Sequence, residues 1–150
     1  MSKVQPEILC PEDSAFWREG YLEAFIDTAS PWYEHHIALL RQYSDGMHYE
    51  GYLWECLRKW SKITIERLRL DASHHGELFV LADDHSRDKI PGGRLWPYRS
   101  CSVARFDAQL LLRCLDVLPD DIYIFDSTLS WTLIATHEDD GKRRICVAVP

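Results

Sequence analysis

The chain has 150 residues, of which 46% are hydrophobic and 12% aromatic, and its formal net charge at pH 7 is −7. This length and apolar content predict one globular domain, residues 1–150, with a loosely ordered arm at residues 1–13. The acidic charge disfavours binding to a phosphate backbone, and the apolar runs are too short to span a membrane. We therefore expect a cytoplasmic protein that binds neither nucleic acid nor membrane.

The cysteines carry no pattern of a disulfide framework or a structural zinc site. Their number is odd, and no two of them have CxxC spacing. We expect reduced thiols, most of them filling the core, and no cofactor. The five positions are Cys10, Cys56, Cys101, Cys114 and Cys146.

Helical spacing of apolar residues dominates the first part of the chain. Cap residues or a proline mark two of the predicted starts. A fourth, shorter helix is favoured after Ser61, although Ile63-Thr64-Ile65 also fits a strand. The first three helices are expected from Ser14, from Ser30-Pro31, and from about Tyr49 to Trp60.

The middle of the chain alternates strand, loop and helix signals. Glu77–Ala82 is a short apolar run that predicts a buried strand. Arg87 to Ser102 is irregular and rich in glycine and proline, and loops of that length often contact partners. Phe106 to Leu115 has helical spacing, and Pro119 follows it as a stop.

The last part of the chain predicts a β-meander. Its runs Ile122–Phe125, Ser130–Thr136 and Arg144–Val149 are separated by Asp126-Ser127-Thr128 and by Asp139-Asp140-Gly141, which are typical turn sequences. The order of elements predicts an α+β protein. Its N-terminal helices should pack on one face of a mainly antiparallel sheet that ends in this meander.

Polar side chains follow the predicted strand Glu77–Ala82. Asp83, Asp84 and His85 come directly after it, and His137 lies at the end of another predicted strand. Carboxylates and imidazoles at strand ends can bind a divalent metal or transfer protons, so a small metal-dependent hydrolase or nuclease is one candidate function. The same residues also fit ordinary turn and capping chemistry, and no G-x-S-x-G or phosphate-binding glycine motif accompanies them.

A second set of residues fits a binding surface. Trp96 and Tyr98 lie among arginines in the long loop, and these residue types are enriched at binding hot spots, although both rings could equally fold back into the core. Acids that follow predicted strands could share one rim of the sheet and attract a basic partner, or could simply be solvated turns. These acids are Asp83, Asp84, Asp126, Glu138, Asp139 and Asp140, with Asp120 and Asp121 beside them.

The C-terminal run Asp126-x-x-x-x-Trp131-x-x-x-x-Thr136-His137-Glu138 resembles the end of small bacterial immunity proteins from polymorphic-toxin and contact-dependent inhibition loci. The resemblance is confined to this segment. It implies an acidic, single-domain α+β protein that occludes one cognate toxin domain without catalysis, and it supplies no shared binding residues. We expect a basic, nuclease-like toxin domain as partner and a monomer or weak homodimer, with a self-pairing subunit as the further alternative.

Overall fold

The computed structural model of the protein describes residues 5–38, 51–83, 102–141 and 143–150. The described strands belong to one sheet. They are β1 (Glu7–Ile8), β2 (Ser61–Ile63), β3 (Glu77–Ala82), β4 (Val103–Asp107), β5 (Ile122–Phe125), β6 (Thr132–Asp139) and β7 (Arg144–Val149). Their order across the sheet is β1-β4-β3-β5-β6-β7-β2. All pairings among them are antiparallel.

Helices of the described chain are short except for the first. They are α1 (Pro11–Phe25), α2 (Pro31–Tyr33), α3 (Ile65–Ser73) and α4 (Ala108–Cys114), with a π-helical turn at Glu34–Ala38 and 3₁₀ turns at Leu53–Cys56 and Leu115–Val117. Side-chain caps define the starts of three of them. Ser30 accepts from the Tyr33 amide at 3.2 Å, Thr64 from Arg67 at 3.0 Å and Asp107 from Leu110 at 2.7 Å. None of the described helices is long and apolar enough to cross a membrane.

The sheet is buried on both faces. Along β3, Leu78 and Val80 belong to the cluster that contains α3 and α4, whereas Phe79 and Leu81 belong to the cluster that contains α1. Alternate residues of a strand point to opposite faces. A strand covered on both sides is therefore apolar throughout, as Glu77–Ala82 is after its first residue.

The α+β class is confirmed, with the N-terminal helices α1 and α2 on one face of an antiparallel sheet that ends in the meander β5-β6-β7. Strands β3, β5 and β7 have the predicted bounds. The second helical layer, formed by α3 and α4 on the opposite face, did not follow from the sequence patterns.

Several predicted elements differ from the structure. Residues from Glu7 onward, assigned to a loose arm, form β1 and the start of α1. Ser14 does not cap α1, because Ser14 is a buried residue inside this helix. Its hydroxyl donates to the Leu9 carbonyl and accepts from the Val103 amide. The predicted helix from Tyr49 to Trp60 is reduced, over the described residues, to one 3₁₀ turn.

Two further boundaries moved because a strand runs directly into the cap of the next helix. Ser61–Ile63 is β2 and Thr64 caps α3, so the strand and helix readings of this stretch are both correct in part. Phe106 likewise belongs to β4, and Asp107 caps α4. The predicted loop from Arg87 lies, up to residue 101, outside the described residues.

Candidate functional site

Two aspartates lie side by side where β3 ends and β5 begins. Ala82 pairs with Ile122 across these strands, so the next pair is Asp83 and Asp121. The Asp83 amide donates to the Asp121 carbonyl at 3.3 Å, and both residues are fully buried. Buried carboxylates require hydrogen-bond donors, because losing water without compensation is costly.

The donors to Asp83 come from β5 and from the 3₁₀ turn. Its Oδ1 accepts from the Leu53 amide at 3.1 Å, and its Oδ2 accepts from the Tyr123 hydroxyl. That hydroxyl in turn accepts from the Trp54 amide at 2.9 Å. Asp83 therefore anchors the 3₁₀ turn to the sheet, and the expectation that it belongs to an exposed acidic rim is wrong.

The donors to Asp121 come from two different segments. Its Oδ1 accepts from Trp54 Nε1 and from the His137 amide, each at 3.0 Å. His137 Nδ1 lies 3.0 Å from Oδ1 and 3.2 Å from Oδ2 of the same carboxylate. One buried carboxylate thus ties the 3₁₀ turn to the end of β6 and holds the His137 ring by one nitrogen.

A β-bulge brings His137 to this position. Between the pairs Ala135 to Cys146 and Asp139 to Arg144, four residue steps on β6 lie opposite two on β7. The bulge is held by Thr136, whose carbonyl accepts from Arg144 Nε at 2.8 Å. Bulges bend a strand locally and change the direction of its side chains. Here the bulge directs His137 toward Asp121 of β5.

Beside this network lies an open cleft of about 400 Å³. His137 lines it, and its side chain is 28% exposed. Arg144, also in the wall, donates through Nη2 to the Asp120 carbonyl. The charged residues in the lining are Asp120, Glu138, Asp139, Arg143 and Arg144.

Aromatic rings border the same region. The Tyr52 ring lies 4.6 Å from the His137 ring and 5.5 Å from the Trp54 ring, between ring centroids. Burial raises the pKa of the Tyr52 hydroxyl, and the carboxylates of Asp121, Asp83, Glu55 and Asp120 raise it further. Several acids thus act on one ring, which indicates a negative potential at this end of the sheet.

Three of the predicted partner-binding acids lie exposed at the turn between β6 and β7. Asp139 Oδ1 accepts from the Gly141 amide at 2.8 Å, and Asp140 Oδ1 accepts from the Arg143 amide at 3.0 Å. Glu138 precedes them on β6. Glu138 and Asp139 line the cleft, and Asp140 follows them, exposed, in the turn.

Asp126 does not belong to this surface, because it follows β5 at the opposite end of the strand. Burial raises the pKa of its carboxyl, but hydrogen bonds from Thr128 and Trp131 and the nearby His75 outweigh that effect, so the pKa lies below its ordinary value. His75 Nδ1 is 3.9 Å from Asp126, and its ring stacks on Trp131 at 4.1 Å. The Asp126 carboxylate thus bonds within the chain, to Thr128 of its own turn and to Trp131, with His75 nearby.

The residues of the metal-dependent alternative are only partly described. Asp83 and His137 lie at the same end of the sheet, but His137 pairs with Asp121, and Asp83 pairs with Tyr123. Asp84 and His85 lie outside the described residues, as do Trp96 and Tyr98 of the predicted binding loop. Within the described part of the chain, no three acid, histidine or cysteine side chains are grouped so that they could hold a metal ion.

Sequence reasoning missed the network that connects these residues. Tyr52 and Trp54 were assigned only to a helix, and Asp121 was named only as one of several strand-end acids. An aspartate directly before a fully apolar strand is a signal of such a network, but its partners lie 16 and 67 residues away in the chain. No local spacing indicates contacts of that range.

Comparisons of the chain with protein-family models, curated proteins and solved structures gave no match.

Proposed function

We propose that the chain is a non-catalytic immunity-type protein that binds a basic, nuclease-like toxin domain in the cytoplasm and occludes it. The observation that carries the proposal is the exposed acidic run Glu138, Asp139 and Asp140, of which the first two line an open cleft. Clustered carboxylates steer a basic protein toward one face and exclude partners of like charge.

Three positive side chains near the turn, among the residues that the structure describes, have contacts within the chain. Arg143 Nη1 lies 3.2 Å from Glu66 Oε2, and Lys62 Nζ lies 3.8 Å from Asp140 Oδ2. Arg144 donates to the carbonyls of Thr136 and Asp120. Their charge offsets part of the negative charge of the turn. The carboxylates of Glu138 and Asp139 remain exposed to a partner.

Aromatic side chains next to the acids also favour a binding surface. Tyr52 and Trp54 are partly exposed beside His137. Tyrosine and tryptophan combine a large apolar area with a polar group, and they are enriched where partners bind strongly. Acids would attract a basic domain, and the neighbouring aromatic rings would pack against it once it is bound. This combination is expected of a surface that occludes a basic domain.

The test is coexpression of the chain with the basic toxin domain encoded by the adjacent gene. The wild-type protein should restore growth and form an isolable complex. Glu138→Lys combined with Asp139→Lys should weaken that complex roughly tenfold or more, because charges that attracted the partner then repel it. Affinity is measured by calorimetry, and folding by thermal unfolding.

The matched control is Glu19→Lys combined with Glu23→Lys on α1, which changes the net charge equally at two exposed residues. It should bind within about threefold of wild type, since charge at a distance is screened by salt. The absence of both protection and complex would refute the proposed function. Equal loss in both double variants would refute the location of the surface.

A further inference from the structure

The hydrogen bonds of His137 determine which ring nitrogen carries its proton. Asp121 Oδ1 already accepts from Trp54 Nε1 and from the His137 amide, so two N–H groups converge on it before the ring is considered. A carboxylate surrounded by donors acts as an acceptor, and His137 Nδ1, 3.0 Å away, must then be the donor. In the neutral ring, Nε2 is consequently the acceptor.

Three hydrogen bonds fix the position of the His137 ring beside Asp121. The ring is held at Nδ1, the residue is held through its amide, and the bulge of β6 is held through Thr136. Asp121 itself is fully buried. Second partners of this kind orient an imidazole and select its tautomer, so that the other nitrogen is prepared for a ligand. His137 lines the open cleft with a side chain that is 28% exposed, and Nε2 is the ring nitrogen not directed at buried Asp121.

We propose that His137 is the hydrogen-bond acceptor that receives a cationic N–H donor of the partner, an arginine or lysine side chain, and that Asp121 is the residue that positions it. The inference rests on the proposed function and names the chemistry of recognition at the same surface. An isolated imidazole nitrogen would accept a hydrogen bond from any N–H group. The carboxylates around His137 favour a donor that carries a positive charge.

That selection comes from the acids at the same end of the sheet. Glu138 and Asp139 lie exposed beside His137, and Asp120 lines the cleft. Among the described residues that line the cleft, the opposing charges are those of Arg143, which pairs with Glu66, and Arg144, which donates to backbone carbonyls. A guanidinium or ammonium group at Nε2 would thus meet carboxylates, whereas a neutral amide donor would gain nothing from them.

The first test is the tautomer itself. Long-range ¹⁵N correlation spectra of the free protein at neutral pH should show His137 protonated at Nδ1 and unprotonated at Nε2. Asp121→Asn should shift His137 toward the other tautomer, because an amide that turns its N–H₂ toward Nδ1 donates to it. A wild-type ring protonated at Nε2 would overturn the inference, irrespective of whether a toxin partner exists.

The second test uses a hexa-arginine peptide as probe, with hexa-citrulline as its neutral isostere. The wild-type protein should bind hexa-arginine and not hexa-citrulline. His137→Phe keeps a ring beside Tyr52 but removes the acceptor, and binding of hexa-arginine should weaken roughly three- to tenfold. Calorimetry gives the affinity, and thermal unfolding confirms that each variant is folded.

His35→Phe is the matched control, because His35 is an exposed histidine whose Nδ1 lies 2.7 Å from the Pro31 carbonyl of its own helical segment. It should leave the affinity unchanged. Equal affinities of wild type and His137→Phe, or no binding of hexa-arginine, would overturn the role of His137. The proposed function would survive if the Glu138 and Asp139 reversals still abolished binding to the toxin domain.

Discussion

Acidic residues at the same end of the sheet have different roles because they differ in burial. Asp83 and Asp121 are fully buried and accept hydrogen bonds from distant segments, whereas Glu138 and Asp139 are exposed at a turn. All four are close to strand ends in the sequence. Whether a strand-end acid is buried depends on what covers it, and here the cover is the 3₁₀ turn Leu53–Cys56. The residues next to each acid in the sequence do not indicate that this distant segment covers it.

We expect Tyr123→Phe to destabilise the protein by about 1.5–3 kcal/mol, because it removes a hydroxyl donor from the buried carboxylate of Asp83. Tyr21→Phe is the matched control, since the Tyr21 hydroxyl bonds at 2.9 Å to the neutral hydroxyl of Thr132 and is also fully buried. It should cost about 1 kcal/mol. Urea unfolding monitored by fluorescence measures both. If Tyr123→Phe cost no more than Tyr21→Phe, the bond to Asp83 would not be a charged one.

Strands and helices were predictable where a local pattern was complete. The runs that became β3, β5 and β7 gave bounds that the structure confirms. The middle run of the meander was predicted as Ser130–Thr136, whereas β6 spans Thr132–Asp139. The predicted helix from Tyr49 to Trp60 failed because Leu53 and Trp54 donate their amides to Asp83 and Tyr123 instead. Apolar residues at helical spacing indicate which side chains a helix could bury. They do not prevent backbone amides from forming tertiary hydrogen bonds in place of helical ones.

The turn between β6 and β7 depends on Gly141, whose φ is +93°. We expect Gly141→Ala to destabilise the protein by roughly 1–2 kcal/mol, because an L residue is strained at that angle. Gly76→Ala is the control, since a Cβ at Gly76 meets nothing within 4 Å and its φ is outside the positive range. It should be neutral or stabilise the protein by up to about 1 kcal/mol. Equal effects in urea unfolding would contradict a role of the positive φ.

At the scale of the whole molecule, net charge and fold give separate support to the proposed binding surface. The charge of −7 makes a basic partner plausible from the sequence alone, but it does not locate the surface. The sheet separates the acids: Asp126 lies at one end of β5, and Asp121 at the other, near the exposed turn of β6 and β7. The predicted single rim is therefore limited to one end of the sheet.

For the proposed complex with a basic toxin domain, we expect association to be steered by charge. Raising the salt concentration from about 0.05 M to about 0.5 M shortens the Debye length severalfold, so the association rate constant should fall roughly tenfold or more. The dissociation rate constant should change much less, because close contacts are screened less. Stopped-flow fluorescence separates the two. An association rate that does not depend on salt would contradict electrostatic steering by the acidic surface.

The sequence by itself determined the α+β class, the strands β3, β5 and β7 and the acidic character of the chain, because burial periodicity, turn residues and charge are local properties. Only the tertiary structure decided that α3 and α4 cover a second face, that Asp83 is buried, and that Asp121 orients His137. These outcomes depend on antiparallel register and on a bulge, which bring together residues from separate segments. Contacts of that kind have no counterpart in the spacing of residues along the chain.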